Sequence, residues 1–303
     1  MKVKVKCPAS CGELIQGIIG DGEKLISLPI DKYSEVTLEE TKKGKIKTDN
    51  KKKSILALRK TFEYFNVPDH YMENVSLQIS SDIPVAKGMA SSTADIAATI
   101  TATAKLLGQE LNPDILGELC CKIEPTDSTI FHRLTLFDHI KGRIIEKHDW
   151  NLRMKVLVLE MDSIVRTEEF RKKDYSKIRY ENKKEIERAY EKFSLACKRK
   201  DKKLLGEAVT ISSLANQKIL FKPKLNEIID LSNRLGAYGI NVAHSGTVVG
   251  ILYDEKYLDV ERLRHILLKE RITEYYVKMY IVNVIKGGVR TMGEEGEVLW
   301  KVI

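Results

Sequence analysis

Apolar and polar positions alternate from Lys2 to Cys7, which predicts a strand. Pro8 to Gly17 is a tight segment of small residues, Ile15 to Ile19 returns as a second strand, and Gly20 to Gly22 turns it. Leu25–Leu28 and Ser34–Leu38 add strands, so the chain opens with hairpins rather than a βαβ repeat. Lys42 to Lys53 is polar and lysine-rich and reads as a loop or loose hairpin. From Ser54 the period becomes helical to Phe65, with Ile55, Leu58, Phe62 and Phe65 on one side and Ser54 as the cap. Val75 to Ser80 alternates again as a half-buried strand. Ala94 to Leu107 then carries Ala, Ile and Leu at helical spacing and closes at Gly108.

Asn112 and Pro113 open a further helix to about Ile123, with Asn112 as cap and Pro113 at the first helical position. Leu134–Asp138, Arg143–Glu146 and the strongly apolar Lys155–Glu160 predict strands. Residues 178–199, 201–219 and 223–235 read as three charged helices. Strands follow at Asn241–Ala243 and Thr247–Tyr253, a helix at Leu258–Leu268 and a strand at Tyr275–Val284. Gly287-Gly288 starts a last hairpin that returns over 298–302. Strands and helices mix without strict alternation, which predicts an α+β fold.

Composition narrows the function classes. The 303 residues are 43% hydrophobic and 31% charged, as in a globular protein with a large core. No apolar run approaches the ~20 residues of a membrane span. The alternating start lacks a signal-peptide core, which predicts a cytoplasmic protein without a membrane partner. Five cysteines, an odd number, argue for reduced thiols over a disulfide framework. Cys7 and Cys11 lack the second Cys/His pair of a structural zinc site, and Cys120-Cys121 reads as helix packing. The formal charge of +8 is scattered among carboxylates, so it describes a solvated surface and not a nucleic-acid footprint. It also favours an anionic ligand.

The candidate chemistry centres on residues 82–95. A strand leads into a loop with Pro84, Lys87, Gly88, Met89 and Ala90, then Ser91, Ser92 and Thr93 at the start of the Ala-rich helix. Small residues let backbone approach a phosphate, and a helix N-terminus offers unpaired N–H groups and partial positive charge. The plain alternative is an ordinary Ser/Thr cap, although three hydroxyls exceed what one cap needs. Neither G-x-x-x-x-G-K-[ST] nor G-x-G-x-x-G occurs, so a nucleotide site here is of another type. Glu124-Pro125-Thr126-Asp127 sets two carboxylates three residues apart across a proline, which on pattern alone is a helix-ending turn. His244, between two strands, is on pattern alone a hydrogen-bonded structural residue.

Together these segments resemble a known family. Pro84-x-x-x-Gly88-Met89-Ala90-Ser91-Ser92-Thr93-Ala94 is similar to the P-x-x-x-G-L-G-S-S-A-A phosphate loop of the GHMP kinase superfamily. The stretch from Cys7 to Gly17, the loop extended through Asp95, the Glu124–Asp127 segment and Ala243-His244-Ser245-Gly246-Thr247-Val248 resemble, within it, the L-threonine kinases of cobalamin biosynthesis. The four motifs span the chain in family order. The resemblance implies a two-lobed α+β fold, with an ATP-binding unit over 1–150 and a ferredoxin-like unit over 151–303. It implies ATP and Mg²⁺ as cofactors and L-threonine as the small-molecule substrate, phosphorylated for the aminopropanol linker of cobalamin. Homoserine or another amino alcohol, and a non-catalytic ligand-binding relative, are the alternatives.

Residue by residue, the resemblance puts Pro84 and Lys87–Thr93 on the nucleotide and Ser92 on the metal. Glu124 joins Ser92 as metal ligand, with Glu118 as alternative, and Asp127 is the catalytic aspartate. Glu13, Gln16, His244, Ser245 and Gly246 face the substrate. Three departures stand out. Ser10 replaces the Lys or Arg that many GHMP kinases carry two residues after the first proline. Ala90 replaces the middle glycine of the loop, a change that is tolerable where the residue keeps an ordinary φ. The third motif retains only Gly246 and Gly250 of a glycine-rich run.

Overall fold

The computed structural model describes residues 1–42, 46–47, 51–163 and 173–293. Strands β1 (Lys2–Ile19) and β2 (Gly22–Glu40) form one long antiparallel hairpin about Gly20 and Asp21. Each was expected as two shorter pieces. The segment from Pro8 to Gly17 stays in the ladder because register shifts at Pro8/Ala9, Ser10/Glu13 and Glu13/Ile15 absorb its irregular residues. Such bulges bend a strand without ending it. Gly12, at φ +62°, makes the bend possible: a Cβ there would sit 2.6 Å from the backbone of Val242.

The sheet continues to β4 (Val75–Ser81), which pairs β2, and to β3 (Ile46–Lys47), parallel to β4. Strands β5 (Leu134–Asp138) and β6 (Arg143–His148) form a hairpin whose first strand meets β2 at Leu25. The second half supplies β7 (Lys155–Glu160), β8 (Gly239–Val242), β9 (Val248–Tyr253) and β10 (Lys278–Asn283), in spatial order β10-β7-β9-β8. With helices between β7 and β8 and between β9 and β10, this is a ferredoxin-like β-α-β-β-α-β unit. A single pair, Glu13 with Val242, joins β8 to β1 and so places Glu13 at the junction of the two halves. From Gly287-Gly288 the chain enters β11 (Arg290–Met292), which pairs β1. The expected return strand over 298–302 lies outside the described residues, as do most of residues 42–51.

The helices are α1 (Lys52–Tyr64), α2 (Ser91–Leu106), α3 (Pro113–Cys121), α4 (Ser176–Glu181), α5 (Lys183–Arg199), α6 (Lys202–Asn216), α7 (Leu225–Arg234) and α8 (Val260–Lys269). Ser54 is not a cap; it is buried in the first turn of α1. Asn112 is one, accepting from Ile115 N at 2.8 Å. The predicted helix over 178–199 breaks at Asn182, which is buried and whose amide donates to Ala215 O at 2.8 Å. Helix α2 is buried on almost every side, against β1, β2, α1 and α3. Its composition suits that position. Alanines allow close approach, and Thr99 and Thr103 satisfy their hydroxyls on carbonyls one turn back, each at 2.7 Å. No described helix is long and apolar enough to cross a membrane. All five cysteines are free thiols, and burial pushes Cys11 up to about 12.

Candidate active site

One cavity of about 600 Å³ gathers the central loop, the start of α2, the Glu124–Asp127 segment and the His244–Ser245 turn. Within the loop Ala86, Gly88 and Ala90 carry φ of 60°, 77° and 61°. Left-handed residues at alternate positions are the backbone arrangement that turns N–H groups toward an anion. Helix α2 starts from Ala90 without a side-chain cap, so the alternative of an ordinary Ser/Thr cap is absent, and Ser91 and Ser92 line the cavity.

Ala90 does not meet the condition of an ordinary φ. The residue is left-handed, where a Cβ is unfavourable by roughly 1–2 kcal/mol. Backbone hydrogen bonds on the neighbouring residues hold the shape: Ser10 N donates to Met89 O at 3.2 Å and Thr247 N to Lys87 O at 3.0 Å. Ala90→Gly should therefore stabilise the fold by about 0.5–1 kcal/mol, the released strain exceeding the extra chain entropy of glycine. Urea melts without nucleotide test this, and a clear loss of stability would show that the strain assignment is wrong.

Gly88 and Gly246 meet backbone to backbone. A Cβ on Gly246 would lie 2.2 Å from Lys87 O, and one on Gly88 would lie 2.6 Å from Gly246 Cα. The third motif thus braces the phosphate loop from behind. Lys87 does not reach into the cavity. Its ammonium donates to the carbonyls of Met161 at 2.7 Å and of Asp162 and Ser163 at 3.0 Å, with Glu160 at 3.6 Å, so only its backbone belongs to the cradle.

Two carboxylates in the cavity are already matched by lysines. Lys53 Nζ donates to Glu124 Oε2 at 2.7 Å, and Lys51 pairs with the buried Asp95, which also accepts from Ser34. Glu118 is exposed and outside the cavity lining. Asp127 lines the cavity and is anchored to α2, for Thr93 Oγ1 donates to its Oδ2 at 3.2 Å and accepts from its N at 3.4 Å.

Glu13 lies behind Asp127, buried, with its carboxyl hydrogen-bonded to the Asp127 side chain and to the His244 backbone N–H. Burial foremost, then the Asp127 charge, pushes Glu13 well above the carboxylate range. A buried lysine, Lys222, faces Glu13 from the segment after α6. Burial brings it down from 10.5 to about 7, with Glu13 partly opposing the shift. Its Nζ donates to Leu220 O at 3.2 Å, and the Gln217 amide clamps its backbone on both sides at 2.7 Å.

Gln16 fixes the chemistry of His244. Its Nε2 donates to Val242 O at 3.2 Å, so its Oε1 accepts from His244 Nδ1–H at 2.9 Å, which leaves His244 Nε2 as an acceptor. His139, on the β5–β6 turn, packs edge-on against His244 with ring centroids 5.4 Å apart.

Of the residues singled out for the nucleotide, all but Lys87 line the cavity, joined there by Ser245, His244, Asp127 and Glu124. Glu13, Gln16 and Gly246 stand one layer behind and orient what lines it. Sequence reasoning missed Lys51, Lys53, Asp95, His139 and Lys222 as site residues. Asp95 was signalled as the end of the second motif; the others lie in ordinary lysine-rich or turn contexts with no local mark.

The GHMP kinases N terminal domain matches residues 51–132, and the GHMP kinases C terminal domain matches residues 193–270. The chain is 38% identical over 284 residues to the L-threonine kinase of Citrobacter freundii, covering 94% of this chain and 98% of that one. It is likewise 38% identical over 285 residues to the L-threonine kinase of Salmonella typhimurium, covering 94% of each. Solved structures share the fold. The homoserine kinase of Cytophaga hutchinsonii has a TM-score of 0.71 at 13% identity, over 96% of this chain and 97% of that one. The mevalonate kinase of Methanococcus jannaschii has a TM-score of 0.59 at 22% identity, over 97% and 98%. With both halves matched and two full-length relatives at this identity, the chain belongs to the GHMP kinase family.

Proposed function

We propose that the protein transfers the γ-phosphoryl group of ATP to the side-chain hydroxyl of L-threonine, giving O-phospho-L-threonine. The observation that carries this is the single cavity that brings Asp127 together with the uncapped start of α2 and two lysine–carboxylate pairs. Its ~600 Å³ falls in the range of small-ligand sites. Phosphoryl transfer needs positioned phosphates, neutralised charge and an acceptor hydroxyl in line. The loop from Gly88 to Thr93 holds the phosphates, and Lys51 and Lys53 add positive charge beside them. Ser92 and Glu124, with Asp95 adjacent, form the hard oxygen set that suits Mg²⁺. When bound, Mg²⁺ neutralises phosphate charge as it is transferred. Asp127, held by Thr93 and Glu13, orients the acceptor hydroxyl and takes its proton.

The same reading assigns nucleotide binding to residues 1–150 and closure over the acceptor to 151–303. It also assigns the protein to the cytoplasm, in keeping with its free buried thiols. The aminopropanol linker of cobalamin is the use that the four sequence motifs support. The experiment is ATP turnover with L-threonine, L-serine and L-homoserine. Serine, lacking one methyl, should have a kcat/KM lower by roughly 10–200-fold. Equal use of serine, or a preference for homoserine, would remove the threonine assignment.

A further inference from the structure

A carboxylate and two imidazoles converge from separate stretches of the chain. The Glu23 carboxylate and ring nitrogens of His139 and His244 lie within 4.8 Å of one another. His139 and His244 line the cavity, and Glu13 bonds both the Asp127 side chain and the His244 backbone. Asp127 lines the same cavity as His139 and His244. Gln16 sets His244 with Nε2 as an acceptor. On the far side of Glu23, Arg179 of α4 donates from Nη1 to Glu23 Oε1 at 2.6 Å. Arg179 also lines the adjoining cleft with Gln16, Asn216 and His244.

This arrangement matches a particular kind of ligand. An ammonium group presents three N–H donors, and the cluster presents three acceptors, one of them charged. A guanidinium is the side chain best shaped for a carboxylate. An α-amino acid carries both groups on one carbon, so its two sites must touch, as Glu23 and Arg179 do. A bare divalent cation fits less well. Arg179 would repel it, whereas a zwitterion brings its own anion to Arg179. We propose that Glu23, His139 and His244 hold the ammonium of an amino-acid substrate and Arg179 its carboxylate, leaving the side-chain hydroxyl toward Asp127. This rests on the kinase reading above and adds how the enzyme tells an amino acid from a plain alcohol.

The test compares L-threonine with 1-amino-2-propanol, which lacks the carboxylate, and with 3-hydroxybutyrate, which lacks the ammonium. In kcat/KM the unaltered enzyme should favour threonine over each by about 100-fold or more, since deleting one partner leaves the other charge unpaired. Arg179→Ala should bring the threonine to aminopropanol ratio to within about threefold and leave the KM for ATP unchanged. Glu23→Gln should do the same for the ratio to hydroxybutyrate. Arg179→Lys, which keeps the charge but not the fork, should fall between, and melting curves confirm that each variant is folded. Unchanged selectivity in the folded variants would overturn the proposal while leaving phosphoryl transfer intact. So would a stoichiometric Co²⁺ absorption band lost in His139→Ala with selectivity unaffected, which would make the cluster a metal site. No turnover of threonine, serine or homoserine by the unaltered enzyme would instead overturn the kinase reading itself.

Discussion

Asp127→Asn should lower kcat by about 10²–10⁴-fold while ATP affinity changes only slightly. A threonine hydroxyl is a poor nucleophile at neutral pH, and a carboxylate beside it both orients it and accepts its proton as the new bond forms. The site explains why the loss should fall on kcat. Thr93 fixes Asp127 to α2, and Glu13 is hydrogen-bonded to it from behind. Asparagine keeps this shape, so the phosphate loop and its nucleotide should be undisturbed. Its amide, however, cannot accept the proton. Rapid-quench measurements separate the chemical step from ATP binding. A nearly normal chemical rate in the Asn variant would reduce Asp127 to a turn residue and move attention to Glu124 or His244.

Lys222→Met should make the fold more stable at neutral pH, by on the order of 2–4 kcal/mol. Lys222 is 1% exposed and its pKa is depressed by burial from 10.5 to about 7. Each tenfold change in proton affinity is about 1.4 kcal/mol, partly relieved by relaxation. Removing one member of a buried ion pair usually destabilises, because it strands the other charge. Here burial and the Asp127 charge already push Glu13 toward its neutral form, so methionine should strand little charge. The sign with pH follows from the depressed value. Above about 10.5 lysine is neutral in both folded and unfolded chains. Between there and about 7 only the unfolded chain takes up the proton, so stability is lost as pH falls. The advantage of methionine should therefore be full near pH 7 and shrink toward pH 10. Urea melts of both proteins at pH 7 and 9.5 measure it. An advantage independent of pH would mean that Lys222 stays charged in the fold.

Local patterns along the chain determined a good deal. Strands Leu134–Asp138 and Lys155–Glu160 have the predicted bounds, Asn112 caps α3, and the loop before α2 is legible as an anion cradle. These features depend on neighbours within a few residues, through side-chain alternation, cap chemistry and backbone freedom. The element boundaries misread from sequence were set by distant partners. The segment from Pro8 to Gly17 remains strand because β2 and β8 flank it, and the helix over 178–199 breaks at Asn182 where a carbonyl of α6 takes its amide. Ala90 is left-handed because Met89 and Lys87 are tied to Ser10 and Thr247, residues some 80 and 160 positions away in the chain.

The site divides in the same way. Its phosphate loop, Asp127 and Glu124 were legible because each lies in a contiguous motif. The groups that set its charge were not. Lys222 faces Glu13 across more than 200 positions, and Glu23, His139, His244 and Arg179 meet from four separate segments. Burial is what brings the lysine down to about 7 and pushes the glutamate well above its ordinary range, and burial is a property of the packed chain. The sequence alone therefore determined the family and most of the segments that gather at one cavity. The tertiary structure decided which carboxyl is pushed out of its ordinary range, which lysine stands opposite it, and which side chains cluster together near the cavity.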